Sequence, residues 1–214
     1  MKSMLFPLEV VHRIRQKVKY GLMMKFVLDR IAMLGVEITP FYLVEERLWE
    51  DLAPCFEKGF EEFEITWLGP AEMETIAAIR KYNFSKEQLL QRLEKGQVCL
   101  GVRQQGTLAA FTWADLSKCA GPWFRFSLEE NKAYLFDAYT LEAFRGKRLA
   151  QFIRYSCYRA LNQMGKETFY SISEAFNSPS IRFKTSLKAK RLSLWVAIEL
   201  FGRYRRVWKL RNCA

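Results

Sequence analysis

The stretch Thr140-Leu141-Glu142-Ala143-Phe144-Arg145-Gly146-Lys147-Arg148-Leu149-Ala150 decides how this chain folds. Before it, Ala133 to Thr140 is rich in aromatic residues and reads as a strand. After it, Leu149, Phe152, Ile153, Cys157 and Leu161 recur at helical spacing, the apolar stripe of a helix that Gly165 closes. The first amides of a helix have no partner within it, and the helix dipole places positive potential at the same end. A basic, Gly-containing turn at that point is a cradle for an anion such as a diphosphate. Such turns are common before helices, so this one needs a second signal.

Downstream, Thr168 to Ser173 reads as another strand and Ser178 to Leu187 as a short helix. The intervening helix crosses over, which makes the strands of Tyr139 and Tyr170 parallel neighbours. Leu192 to Leu210, broken at Gly202, reads best as a strand pair, although Leu194, Trp195, Ile198 and Phe201 also fit a helix. Upstream, Val98 to Arg103 and Thr107 to Ala114 form a hairpin through Gln104-Gln105-Gly106. Ser85-Lys86-Glu87-Gln88 is a capped helix start leading through Leu89, Leu90 and Leu93 to Gly96. Glu64 to Leu68 reads as a strand, Ala71 to Tyr82 as a helix, and Trp49 to Gly59, with Pro54, as a connection.

The first part of the chain differs in character. Val11, Ile14, Val18, Leu22 and Phe26 lie on one side of a basic amphipathic helix from about Leu8 to Leu34, stopped by Gly35. Ile38 to Val44 follows as a strand whose Pro40 favours a start or an edge. Residues 1–61 thus read as a helix-plus-strand extension and 62–214 as the main domain, an α/β fold with a mixed sheet and helices on both faces.

The second signal is a resemblance. Arg145-Gly146-Lys147-Arg148-Leu149-Ala150 resembles the acetyl-CoA-binding signature of the GNAT N-acyltransferase superfamily, Arg/Gln-x-x-Gly-x-Gly/Ala, in its Arg-Gly-x-Gly-Leu-Ala form. Asn177-Ser178-Pro179-Ser180-Ile181-Arg182-Phe183 resembles the second motif of that family, Asn-x-x-Ser-x-x-Phe. The likeness covers roughly residues 62–210 and is sharpest over 133–183. Three positions depart from it: Arg148 stands where a second Gly is usual, Lys184 where many members carry a thiolate-protonating tyrosine, and Lys188-Ala189 where Gly-Phe is usual.

The resemblance implies a mixed, mostly antiparallel central sheet with a splayed parallel strand pair, flanked by helices. It implies an N-acyltransferase in which a primary amine attacks the thioester of acetyl-CoA, or of another acyl-CoA, directly. Backbone N–H groups near Tyr139 and Thr140 would stabilise the oxyanion. Asp137 or Glu142 would serve as base, and Tyr139 as acid for the thiolate. Asp137 is equally a structural carboxylate, and Tyr139 reads first as an aromatic packed on the sheet. Thr140 and the run Arg145, Gly146, Lys147, Arg148, Leu149 and Ala150 would hold the donor. Asn177 would hydrogen-bond the pantetheine arm with Ser180 beside it, and Arg182, Lys147 and Arg148 would meet phosphates. A long-chain acyl-CoA or acyl carrier protein donor, and a non-catalytic GNAT-fold binding module, are the alternatives.

Composition narrows the rest. Among 214 residues there are 34 Lys and Arg against 23 Asp and Glu, one His and five Cys, with half the residues apolar. His12 alone, and cysteines without a Cys-x-x-Cys pair, support neither a metal site, nor a disulfide framework, nor a histidine triad. No apolar run approaches the roughly 20 residues of a membrane span. The N-terminal apolar run is too short for a signal peptide, so the expected location is the cytoplasm. The positive charge sits in the flanks: seven basic residues against Glu9 and Asp29 over 1–30, and eight against Glu199 over 188–211. Such flanks suit an acidic partner, whether an acyl carrier protein, the inner face of an anionic membrane, nucleic acid or a phosphorylated cofactor, and suit a merely solvated basic surface as well. Nucleic acid ranks below the others because no reading motif is present. A small-molecule amine is the expected acceptor and a homodimer is left open; nothing in Ser117 to Glu130 specifies the acceptor.

Overall fold

The computed structural model describes residues 22–80, 82–123 and 125–213. One eight-stranded sheet organises them, in the spatial order β10-β9-β1-β8-β7-β4-β3-β2. Its strands are β1 (Val36–Arg47), β2 (Phe63–Leu68), β3 (Gln97–Gln104), β4 (Thr107–Asp115), β7 (Lys132–Thr140), β8 (Thr168–Glu174), β9 (Lys190–Leu200) and β10 (Tyr204–Asn212). A small separate hairpin is formed by β5 (Lys118–Ala120) and β6 (Arg125–Ser127).

Every neighbouring pair in the large sheet is antiparallel except β7 and β8. These two pair only from Lys132 opposite Thr168 to Tyr134 opposite Tyr170. Beyond that point β7 stays with β4 as far as Thr140, and β8 stays with β1. The two strands therefore diverge. A bulge in β7 accompanies the divergence: Phe136 faces Trp113 and Tyr139 faces Phe111, so Asp137 and Ala138 together stand opposite Thr112. Asp137 takes a positive φ of 46°. Bulges of this kind bend a strand and increase its local twist.

Helices cover both faces. On one, α5 (Leu149–Asn162) packs Leu149, Phe152, Ile153, Cys157 and Leu161 against Leu100, Val102, Leu135 and Phe169. All five predicted stripe positions are buried. On the other face, α3 (Met73–Ala77) and α4 (Lys86–Glu94) bury Met73, Ile76 and Leu89 against Leu68, Phe111 and Trp113. Ser85 caps α4 reciprocally: its Oγ accepts from the Gln88 amide at 3.3 Å, and its own amide donates to Gln88 Oε1 at 2.9 Å. Gln105 and Gly106 join β3 to β4, both at positive φ. A short α2 (Pro54–Glu57) and α6 (Ser178–Ser186) complete the set with α1 (Leu22–Ala32). No helix among the described residues is long and apolar enough to cross a membrane.

Several expectations change. The helix expected over Ala71 to Tyr82 is only a 3-10 turn and the short α3, ending at Ala77. The chain then turns so that the Tyr82 ring meets Phe111 edge-on at 4.9 Å. The connection Trp49 to Gly59 contains α2, with Pro54 at its first position, where a missing N–H costs nothing. Leu192 to Leu210 is a strand pair, and the helical alternative falls. Pro40 lies neither at a strand start nor on an edge strand, because β1 is interior, between β9 and β8. Pro40 is tolerated because pairing with β8 begins only at Phe41. The strand of the 1–61 extension is thus built into the main sheet. Of the helix expected over Leu8 to Leu34, the described part is α1, and residues 1–21 lie outside the described residues. Phe26, on the apolar side of that helix, is 56% exposed.

Candidate active site

The turn after β7 forms as its residues dictate. A 3-10 turn over Glu142–Phe144 leads to Gly146 at φ 82° and Arg148 at φ 59°, and α5 begins at Leu149. The Arg148 carbonyl accepts from the amides of Gln151 and Phe152, both at 3.1 Å. The amides of Gly146, Lys147, Arg148, Leu149 and Ala150 meet no acceptor among the described residues, and no side chain caps the helix. Gly146, Arg148, Leu149 and Ala150 border a cleft of about 280 Å³ that Thr140 and Phe144 also line. Arg145 Nε donates to the Thr140 carbonyl at 3.3 Å, its Nη1 lies 3.6 Å from the Glu142 carboxylate, and its guanidinium lies 5.9 Å from the Tyr139 ring. Open amides, a helix N-terminus and nearby cations are the donor set that a diphosphate requires.

Three residues back along β7, about 10 Å of strand, the bulge carries Asp137. Its Oδ2 is 2.8 Å from Arg92 Nη1 and accepts from the Tyr82 hydroxyl at 3.2 Å. Arg92 also donates to the Tyr82 oxygen at 3.1 Å. Burial, and then the Asp137 charge, push the Tyr82 hydroxyl well above its ordinary pKa, so it stays a donor. The Arg92 guanidinium lies 4.1 Å from the Phe84 ring and 5.2 Å from those of Trp113 and Phe136. This carboxylate is held from two sides and still borders a second cleft of about 530 Å³. Aspartate tolerates the left-handed backbone of the bulge better than most residues.

The other expected residues divide. Tyr139 is half-buried, its ring stacked on Phe111 at 5.7 Å and edge-on to Tyr82 at 5.8 Å. Glu142 is exposed and tied to Arg145 on the cradle side. Asn177 caps α6, its Oδ1 accepting from the Ser180 amide at 3.1 Å, and Ser180 Oγ lies 3.0 Å from Ser173 Oγ. Arg182 is exposed on α6.

Lys184 does not stand free. Its Nζ donates to Ser171 Oγ at 2.7 Å and to the Ile172 carbonyl at 3.1 Å, and lies 3.9 Å from Glu46. Glu46, 1% exposed, also accepts from the Tyr158 and Ser171 hydroxyls and lies 3.7 Å from Arg154. Burial depresses Lys184 to about 8 against the pull of Glu46. Burial alone would raise Glu46, but Arg154, Lys184 and the two hydroxyls outweigh it and hold the carboxyl below its usual range. This network joins β1, β8, α5 and α6. Sequence reasoning missed Glu46 and Arg154; the available signal was Arg154 in register with Tyr158, four residues on, beside an apolar helix stripe. It also missed Tyr82, Arg92 and the β5–β6 hairpin.

No protein-family model and no curated relative matches the sequence. Solved structures do match. A GNAT-family acetyltransferase structure from Novosphingobium aromaticivorans is similar over 77% of this chain and 66% of its own, with TM-score 0.51 and 20% identity. A GCN5-related N-acetyltransferase-like protein from Streptococcus suis aligns over 80% and 66%, with TM-score 0.56 and 16% identity. A tandem GNAT protein from the clavulanic acid biosynthesis pathway aligns over 86% and 58%, with TM-score 0.56 and 13% identity. The chain spans between 58% and 66% of the length of these three. Its fold is the GNAT fold, with the one parallel pair, β7 and β8, that splays.

Proposed function

From this fold, we propose that the chain is an acyl-CoA-dependent N-acyltransferase that passes an acetyl group from acetyl-CoA to a primary amine. One observation carries the reading: five consecutive amides, Gly146 to Ala150, meet no acceptor among the described residues, and all of these residues but Lys147 line a cleft at the end of the strand that splays from its neighbour. Charge-assisted contacts from such amides are about twice as strong as neutral ones, and Arg145, Lys147 and Arg148 add cations. Asn177 keeps its Nδ2 for the pantetheine arm while its Oδ1 caps α6, with Ser180 and Arg182 on the same helix.

When bound, the thioester supplies the activated acyl carbon. The residues of the chain do the rest. Tyr139 and Thr140 pair with β4 on one side only, because β8 has parted from β7 after Tyr134, so N–H groups near these two residues that face the open side are the proposed donors for charge developing on the carbonyl oxygen. Asp137, oriented by Arg92 and Tyr82, takes the proton of the amine directly or through water. Glu142 is the less favoured base, since its partner Arg145 draws it to the cradle side. Tyr139 is the proposed acid for the thiolate; Lys184, at the usual tyrosine position, is taken up by Glu46 and Ser171.

That same capture of Lys184 favours the second reading, a binding module without turnover. The exposed cations of β10, among them Arg205, Arg206 and Lys209, favour a donor delivered by an acidic acyl carrier protein or a location at an anionic membrane face in the cytoplasm. Melting curves with CoA, acetyl-CoA and palmitoyl-CoA, followed by thiol release across an amine panel, separate these. Stabilisation by micromolar acetyl-CoA with thiol release supports the transferase, stabilisation without turnover supports the module, and no stabilisation at millimolar CoA removes both.

A further inference from the structure

The larger cleft beside Asp137 has a chemical character of its own. Its volume is about 530 Å³, nearly twice that of the cradle cleft. Phe84, Tyr134 and Phe136 give it aromatic walls, and Arg92, Lys95, Lys118 and Arg125 give it four cations. Asp137 is the sole carboxylate among its lining residues, and it is already paired with Arg92. Lys95, Lys118 and Arg125 have no acidic partner among the described residues. Asp115, buried at the base of the hairpin, is occupied by the amides of Ser117 and Lys118, the Ser117 hydroxyl and Gln97 Nε2.

The hairpin aims two of these cations together. In β5, Lys118 and Ala120 share a face, and Ala120 pairs with Arg125 of β6, so Lys118 and Arg125 emerge on one side. Cys119, on the opposite face, is buried and anchors the hairpin. Three unpaired cations converging on an aromatic-walled cleft repel one another and would repel a simple ammonium substrate. An anion reverses that balance, and a cleft lined by one sign of charge concentrates ligands of the other.

We infer that this cleft binds the acceptor, and that the acceptor is an amine that also bears an anionic group, a carboxylate or a phosphate, on an apolar body. Its anion lies toward Lys95, Lys118 and Arg125, its body against Phe84, Tyr134 and Phe136, and its amine toward Asp137, at the bulge between the two clefts. Polycationic amines are excluded by the same charges. The inference rests on the acyltransferase reading for the role of the amine, while the anion preference stands on the cleft alone.

The test compares phenylalanine and O-phosphoethanolamine with phenylalaninamide, ethanolamine and spermidine, using acetyl-CoA as donor and thiol release as readout. The anionic amines are expected to exceed their neutral counterparts by at least about tenfold in kcat/KM, the factor carried by one charge-assisted contact; whichever of the two is preferred identifies carboxylate or phosphate. Lys118→Gln and Arg125→Gln should each raise KM for the anionic amine by about three- to tenfold with kcat within about twofold, leaving KM for the neutral amines in place. In the unaltered protein, added salt should raise KM for anionic amines alone, which keeps the test free of any folding defect. Preference for neutral amines or spermidine, or salt-independent KM, overturns the inference while leaving the transferase intact. If acetyl-CoA neither stabilises nor reacts, the transferase reading falls. Calorimetric binding of phenylalanine and O-phosphoethanolamine to the unaltered and Arg125→Gln proteins then decides the cleft: binding weakened by the substitution upholds the anion site, and no binding at millimolar concentration ends it.

Discussion

In a Gly146→Asp protein the cradle is altered and little else. Gly146 has φ 82°, and a β-carbon built there meets nothing within 4 Å. The folding cost is therefore that of the backbone alone, about 1–2 kcal/mol for a side chain in the left-handed region, with aspartate at the low end. For a domain of this size about 1 kcal/mol lowers Tm by about 2–4 °C. The new carboxylate would sit among the five open amides and compete for them. At about 5 Å from a phosphate, with an effective dielectric constant of about 20, the repulsion is about 3 kcal/mol, and surface screening brings it toward about 2–3. Affinity for CoA should fall by about a hundredfold. At a CoA concentration of about 100 times Kd the unaltered protein gains about 2.7 kcal/mol, a rise of about 5–10 °C, whereas the variant retains about 0.4 kcal/mol, about 1 °C. Gly106→Asp is the control: φ is 75°, the β-carbon again meets nothing within 4 Å, and the site is the β3–β4 hairpin. It should carry a similar folding cost with the full CoA response. A Gly146→Asp protein that keeps the full rise in Tm refutes the cradle.

Asp137→Asn should lower kcat by about a hundredfold or more while the CoA-induced rise in Tm is unchanged; equal kcat removes Asp137 from the chemistry. Arg148→Gly relieves a left-handed arginine at the N-cap of α5, at the loss of a guanidinium 5.8 Å from the Phe56 ring, and should stabilise the fold by about 0.5–1 kcal/mol. A lower Tm in that variant contradicts the account. Lys184 releases its proton near pH 8 when folded and near 10.5 when unfolded, so between these values the unfolded chain holds more protons and the Lys184 contribution makes stability rise with pH. The slope is at most about 1.4 kcal/mol per pH unit. Urea titrations of the unaltered and Lys184→Met proteins from pH 8 to 10 should therefore diverge in favour of the unaltered protein as pH rises, and parallel curves would show that Lys184 does not titrate there.

What sequence alone determined is local. The stripe from Leu149 to Leu161, the Ser85–Gln88 cap and the Gln105-Gly106 turn each span fewer than about fifteen residues, and each has a physical rule that holds before any tertiary contact forms. The cradle was legible for the same reason, since unpaired amides at a helix start follow from helix geometry itself. Tertiary structure decided everything that joins distant segments. Arg92 and Asp137 meet across the α4–β7 gap, Glu46 reaches Arg154 and Lys184 only because β1 enters between β8 and β9, and the basic cleft exists only where α4 faces the β5–β6 hairpin. Even the helix expected to reach Tyr82 was cut short because that ring packs on Phe111 and its hydroxyl binds Asp137. Backbone propensities amount to tenths of a kcal/mol per residue, so strand order and the burial of charge outweigh them, and neither quantity is written in the spacing of neighbouring residues.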